Sequence, residues 1–276
     1  EDLPRSSEKH YYYRPESVYH IFRARSDGTD LRQLTDGMWN DYDPCFLPSG
    51  RIVFVSERGG GQTRCSARPL PCARLHSMLP DGSDLIPLSW HDTSEWQPSV
   101  DHNGMLLYTR WDYVDRDPDV AQHLWTCYPD GSDPRSYHGN YPVNILGRPY
   151  MELSMRAVPR SHKYIGVAAP HHGQAYGTVI LIDPGRQDDR GMSQVKRVTP
   201  EVPFPEAEVA PGVPQHTPFT NMVYGTPWPL SEDFYLCVYA PDGLKHGIYL
   251  LDRFGNRELL YRDPAIRMYY DHAHND

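Results

Sequence analysis

Two groups of polar residues in this 276-residue chain have the types and spacing to hold a ligand. The first is Arg110-Trp111-Asp112-Tyr113-Val114-Asp115-Arg116, directly after the run Met105-Leu106-Leu107-Tyr108. Two guanidiniums, two carboxylates and two aromatic rings at a strand end can bind an anion or a sugar. Arg offers paired donors to planar oxygens, and Trp offers a stacking face. The same residues can instead form an ion-paired loop that staples neighbouring elements together. The second group is Pro170-His171-His172-Gly173-Gln174, after the apolar run that ends at Ala169. Adjacent histidines cannot share a face of a regular strand, but in an irregular turn one can reach a metal or a substrate proton. His162 sits at the turn before that run, which puts it at the opposite end of the strand.

Other polar clusters have simpler explanations. Asp27, Asp81 and Asp130 each precede a glycine, and Asp-Gly is what a tight turn asks for. Calcium there would need several more oxygen ligands close by. His272-Ala273-His274, flanked by Asp271 and Asp276, could chelate a cation but reads as an exposed tail. Trp90 to Trp96 joins two strand-rich segments and suits packing between them. Nucleophile elbow, P-loop and dinucleotide-binding glycine patterns are absent from the sequence.

The elements that must position these residues are written in a repeat. Residues 27–35 read DGTDLRQLT, 81–89 read DGSDLIPLS and 130–138 read DGSDPRSYH. Between them, DPCFLPSGRIVFVS at 43–56 is answered by QPSVDHNGMLLYTR at 97–110. Asp81 follows Asp27 by 54 residues, and Pro98 follows Pro44 by 54 as well. Each phrase describes a hairpin: short apolar runs flank Pro48-Ser49-Gly50, His102-Asn103-Gly104 or an Asp-Gly step. Two hairpins make a four-stranded antiparallel sheet, the size of one propeller blade. Degenerate copies follow at 154–169, 177–200, 226–240 and 247–262. The spacing predicts a half-blade at 18–36 and fuller blades at about 41–90, 95–138, 150–200 and 221–262. Residues 1–17 form an N-terminal extension, 18–266 the propeller domain and 267–276 a C-terminal tail.

Composition agrees. There are 27 Pro, 21 Gly and 20 Tyr, which suits many strands and turns. The net charge of −9 is spread without Lys/Arg runs, so nucleic acid is not an expected partner. No apolar run reaches the roughly 18 residues of a membrane span. The chain opens on Glu1, which suggests a processed or truncated product. Of the five cysteines, Cys45 and Cys237 lie in strand-like runs that suit buried thiols, and Cys65 and Cys72 bracket a loop where a disulfide is feasible. Neither CxxC nor CxxCH occurs, so covalent haem is not expected in this chain.

The short phrases resemble the TolB/WD40-like (PD40) repeat. Longer stretches, WNDYDPCFLPSGRIVFVSERGG, EWQPSVDHNGMLLYTRWDYVDR, SHKYIGVAAPHHGQAYG and WPLSEDFYLCVY with YLLDRFGNRELLYRDP, resemble the propeller region of hydrazine synthase alpha-subunit-related proteins. The resemblance runs over about residues 18–266 and implies an all-β, TolB-like propeller of about four full four-stranded blades plus a half-blade, part of a five- to six-bladed ring. It implies an extracytoplasmic (periplasmic or secreted) binding or assembly module, partnered by another protein or by the remainder of a larger polypeptide. Any haem chemistry would then lie outside this chain. The half-blade further suggests an incomplete ring whose edge needs upstream sequence or another chain. TolB-like propellers also include a metal-dependent oligogalacturonate lyase. The alternative is therefore a metal-dependent lyase or hydrolase acting on carbohydrate in the funnel, for which His171, His172, Gln174, Gln215 and His216 are the available metal donors. Equivalent hairpins in successive blades emerge on one face of the disc. The 111–123 loop and the 170–176 turn should therefore be neighbours, bringing Arg110, Asp112, Arg116, His171 and His172 to one anionic or metal-linked ligand, a small molecule or saccharide.

Overall fold

The computed structural model describes residues 18–61, 71–112, 121–139, 148–171, 175–187, 192–208, 223–241 and 245–265. Among them every regular element is a strand. A two-stranded pair, β1 (Phe22–Arg23) with β2 (Arg32–Gln33), comes first. Blade A then holds β3 (Asp41–Phe46), β4 (Ile52–Ser56), β5 (Arg74–Met78) and β6 (Ile86–Pro87), paired antiparallel in chain order. Blade B repeats this with β7 (Glu95–Val100), β8 (Leu106–Trp111), β9 (Gln122–Cys127) and β10 (Arg135–Ser136). Blade C uses β11 (Met151–Ala157), β12 (Tyr164–Ala169), β13 (Thr178–Ile182) and β14 (Val195–Arg197). Blade D uses β15 (Tyr224–Pro229), β16 (Phe234–Tyr239), β17 (Gly247–Asp252) and β18 (Arg257–Tyr261). The first strands β3, β7, β11 and β15 contact one another in succession, so they line the common centre.

Local chemistry repeats with the sheets. Each first strand carries a bulge at the same place, where the register against the second strand shifts. The bulged residues Asp43, Gln97, Ser154 and Thr226 have φ of 52°, 52°, 54° and 44°. Pro44, Pro98 and Pro227 follow three of them, because a bulge spares the proline a ladder hydrogen bond. The Asp-Gly turns close as the sequence predicts. Asp27, Asp81 and Asp130 each accept the N–H and the hydroxyl of the residue two positions on, Thr29, Ser83 and Ser132. Those side-chain bonds hold the three exposed carboxyls below their ordinary range.

The core lies between blades. Val53, Val55, Leu75 and Leu88 of blade A pack on Leu106, Tyr108 and Cys127 of blade B. Leu107 and Leu124 of blade B pack on Met155, Ala168 and Ile180 of blade C, and Val179 and Leu181 of blade C pack on Tyr224, Tyr235 and Leu251 of blade D. Alternation along the strand explains this: neighbours such as Leu107 and Tyr108 serve opposite faces of one sheet. Cys237 is buried in β16, but Cys45, expected to be buried, is only half-buried in β3. Cys72 is buried, while Cys65 lies outside the described residues, and the expected disulfide with it.

Glycines of the turns touch the preceding blade. A Cβ on Gly82 would stand 2.6 Å from the Leu34 carbonyl oxygen, and one on Gly131 would stand 2.1 Å from that of Leu88. Gly28, in the two-stranded pair, has open space around it. All three have positive φ, so alanine strains each of them by about 1–2 kcal/mol. Only the first two also push two blades apart. Gly82→Ala and Gly131→Ala should therefore lower the thermal midpoint clearly more than Gly28→Ala, as followed by circular dichroism on heating.

Candidate functional site at the blade seams

Each seam is built around one amide. The third strand of a blade pairs with the fourth through a single bond near its start, as when the Leu88 N–H donates to the Leu75 carbonyl. The reverse bond is replaced: the Leu75 N–H donates to Glu95 Oε2 of the next blade at 3.1 Å. Ser89 Oγ donates to the same oxygen at 2.5 Å, and His91 Nε2 lies 2.6 Å from Oε1. Glu95 is the first residue of β7, and its own N–H donates to the Ala73 carbonyl, which fixes the carboxylate at the edge of β5.

The next seam repeats this with different donors. Glu152 of β11 occupies the position of Glu95, counted from the bulge, and β11 meets β9 in a one-pair parallel bridge, Met151 with Gln122. The Leu124 N–H donates to Glu152 Oε2 at 3.0 Å. His138, at the repeat position of Ser89, places Nε2 2.7 Å from Oε2, and His123 places Nδ1 3.3 Å from Oε1. Glu152 is wholly buried and the two imidazoles nearly so. Burial alone would raise the Glu152 carboxyl, but the imidazoles of His138 and His123 outweigh it and hold the group well below the usual carboxylate range. Where the carboxylate position is filled otherwise, a threonine takes over. Asp41, one methylene shorter, leaves the Ile21 N–H to Thr35 Oγ1, and Tyr224 leaves the Val179 N–H to Thr199 Oγ1. Asp41 instead binds Arg58 Nη2 at 2.6 Å.

The ligand residues expected from sequence divide between the two faces of blade B. Trp111, at the end of β8, meets the His171 ring edge-on at 5.8 Å and stacks on Trp96 at 6.4 Å. The ends of β8 and β12 are therefore neighbours. Arg110 does not join them, since alternation turns it to the blade A side. There its guanidinium lies 4.3 Å from the Trp125 ring centroid and lines a cavity of ≈ 220 Å³ with Trp90, His91 and Glu95. The Asp112 N–H closes onto the Ala121 carbonyl, and the His171 N–H donates to the Glu206 carboxylate. Arg116, His172, Gln174, Gln215 and His216 lie outside the described residues. His162 pairs with Asp183 at 2.7 Å at the far end of β12. A further group that the sequence reading did not single out converges on three separate elements: His123, His138 and Glu152.

No protein-family profile matches this sequence, and no curated protein does either. Solved structures do match. Hydrazine synthase of Kuenenia stuttgartiensis superposes with a TM-score of 0.70 at 16% identity, over 89% of this chain and 36% of that one. A putative TolB from Agrobacterium tumefaciens gives 0.56 at 11% identity, over 91% of this chain and 79% of its own. TolB from Acinetobacter baumannii gives 0.52 at 11% identity, over 86% and 46%. The chain thus spans little more than a third of the hydrazine synthase chain it matches. The fold is all-β, a TolB-like propeller. Among the described residues no helix is long and apolar enough to cross a membrane.

Removing one partner of a buried, hydrogen-bonded charge costs about 3–5 kcal/mol. Glu95→Ala strips the acceptor from Leu75, Ser89 and His91 together, so its loss should fall in that range by urea denaturation. Asp130→Ala removes only an exposed turn bond and should cost far less.

Proposed function

We propose that this chain is the propeller binding and assembly module of a hydrazine synthase alpha-related extracytoplasmic polypeptide, with haem chemistry carried outside it. The observation that carries this reading is apolar surface at the two ends of the strand array. In β18 every residue is exposed, with Leu260 at 54% and Tyr261 at 60%. At the other end Tyr19 is 66% and Leu31 68% exposed. Large apolar side chains grouped on a rigid sheet edge suit protein contact, and the occupant is the remainder of a larger polypeptide or a protein partner. The likeness to hydrazine synthase over most of this chain supports that choice of assembly.

The disc also offers a small-ligand position where β8 and β12 end. His171 supplies an imidazole over the buried Trp111, and to these we add Asp112 with the sequence candidates Arg116 and His172. An anionic small molecule or saccharide fits those groups. Arg110 belongs to the cavity on the other face of the blade, which Glu95 also lines.

Purified from the cells that make it, the protein should co-elute with a c-type haem chromophore on size-exclusion chromatography. Leu260→Lys with Tyr261→Lys should abolish co-elution with a separate haem-bearing chain and lower the thermal midpoint by no more than about 4 °C, since two exposed substitutions together cost about 1 kcal/mol or less. Elution as a haem-free monomer from its own host would overturn the proposal.

A further inference from the structure

The seam between blades B and C differs from the others in the residues that serve its carboxylate. In three seams the second residue after the last strand of the sheet carries a hydroxyl: Thr35, Ser89 and Thr199. At 138 it carries an imidazole. Position 123 is likewise a histidine, where the equivalent residue of blade A, counted from the strand register, is Arg74. One hydroxyl and one imidazole, Ser89 and His91, satisfy the Glu95 latch, so the latch by itself does not require two rings.

We propose that His123, His138 and Glu152 bind one zinc-class divalent metal ion across the seam between blades B and C. This goes beyond the assembly reading and does not depend on it. Two imidazole nitrogens and a carboxylate are a donor set that zinc and its first-row neighbours favour. The donor atoms all lie within 4.8 Å of one another. Bonds of about 2.0–2.2 Å in tetrahedral geometry set donors roughly 3.3 Å apart. His123 Nδ1 and Glu152 Oε1 are already 3.3 Å apart, and the 2.7 Å between His138 Nε2 and Oε2 opens by a side-chain adjustment. One donor atom from each residue gives three protein ligands, and a water completes four. The rings stand edge-on with centroids 5.6 Å apart, so their nitrogens converge without stacking.

The donors come from β9, from the segment after β10 and from β11. The ion therefore ties the third strand of blade B to the first strand of blade C, beside the amide of Leu124. All three side chains are at most 1% exposed, so the ion sits inside the seam and its role is to hold the two blades together. Metal binding of this kind adds directly to folding stability.

The test uses the full chain, stripped with a chelator and titrated with Co²⁺ and then Zn²⁺. Wild-type protein should take up one equivalent of Co²⁺, giving the visible absorbance of four-coordinate cobalt, which Zn²⁺ then displaces. The thermal midpoint should rise with metal and fall with chelator. His138→Ser installs the residue that serves the neighbouring latch, so this variant should fold while binding at least about 100-fold more weakly, the upper end of what losing even an outer-shell partner costs. His123→Arg, copying Arg74, serves as the second variant, with the same expectation. Absence of stoichiometric binding by the wild type overturns the proposal, as does wild-type affinity in whichever of these variants folds.

Discussion

An edge amide of each third strand constrains this molecule more than any other group. The amides of Ile21, Leu75, Leu124 and Val179 sit deep in the seams, where the fourth strand has turned away and water does not reach. Leaving such a donor unmet costs about 1–3 kcal/mol each. The chain meets all four with side chains, and in two of them the acceptor comes from the next blade. That choice converts a local need into a contact that sets blade spacing and rotation.

The remainder of each seam follows from this placement. A carboxylate fixed at the edge of the preceding sheet requires the first strand to start there, as the bonds from Asp41 to Tyr19, from Glu95 to Ala73 and between Gly177 and Tyr224 show. The first strand must then bend away toward the centre, and the repeated bulge with its positive φ provides the bend. The fourth-strand carbonyl meets the next Asp-Gly turn so closely that only glycine fits. Side-chain bonds add to the seam between B and C: Ser99 Oγ donates to the Met155 carbonyl at 2.7 Å and His102 Nε2 to that of Val158 at 2.7 Å. The end edges, with Tyr19 and Leu31 on one side and Leu260 and Tyr261 on the other, stay outside the seams.

Much of the fold was legible because the repeat is written in turn chemistry. Asp27, Asp81 and Asp130 announced the turns, and Pro44 and Pro98 marked what proved to be bulges. The neighbourhood of the β8 and β12 ends was legible too, since equivalent hairpins emerge on one face. Less of the site was legible. Arg110 and Trp111 looked like one cluster as written, yet alternation along β8 sends them to opposite seams, a consequence the period of two could have supplied. His123, His138 and Glu152 share no spacing motif because they lie on three elements. Their signal was the misfit of a histidine at 138 where 35 and 89 carry hydroxyls. Tyr224 hid its place in the series because it replaces the carboxylate with a phenol, which bonds Glu201 instead.

Native-state hydrogen exchange at the amides of Leu75 and Leu124 tests this account most directly. These amides stand at sheet edges, where a strand without a partner exchanges quickly through local opening. If the carboxylates of Glu95 and Glu152 seal the seams, both amides exchange only through global unfolding, with protection equal to that of Val55 in the middle of blade A. Exchange at the rate of an exposed turn amide such as Thr29 would contradict the account.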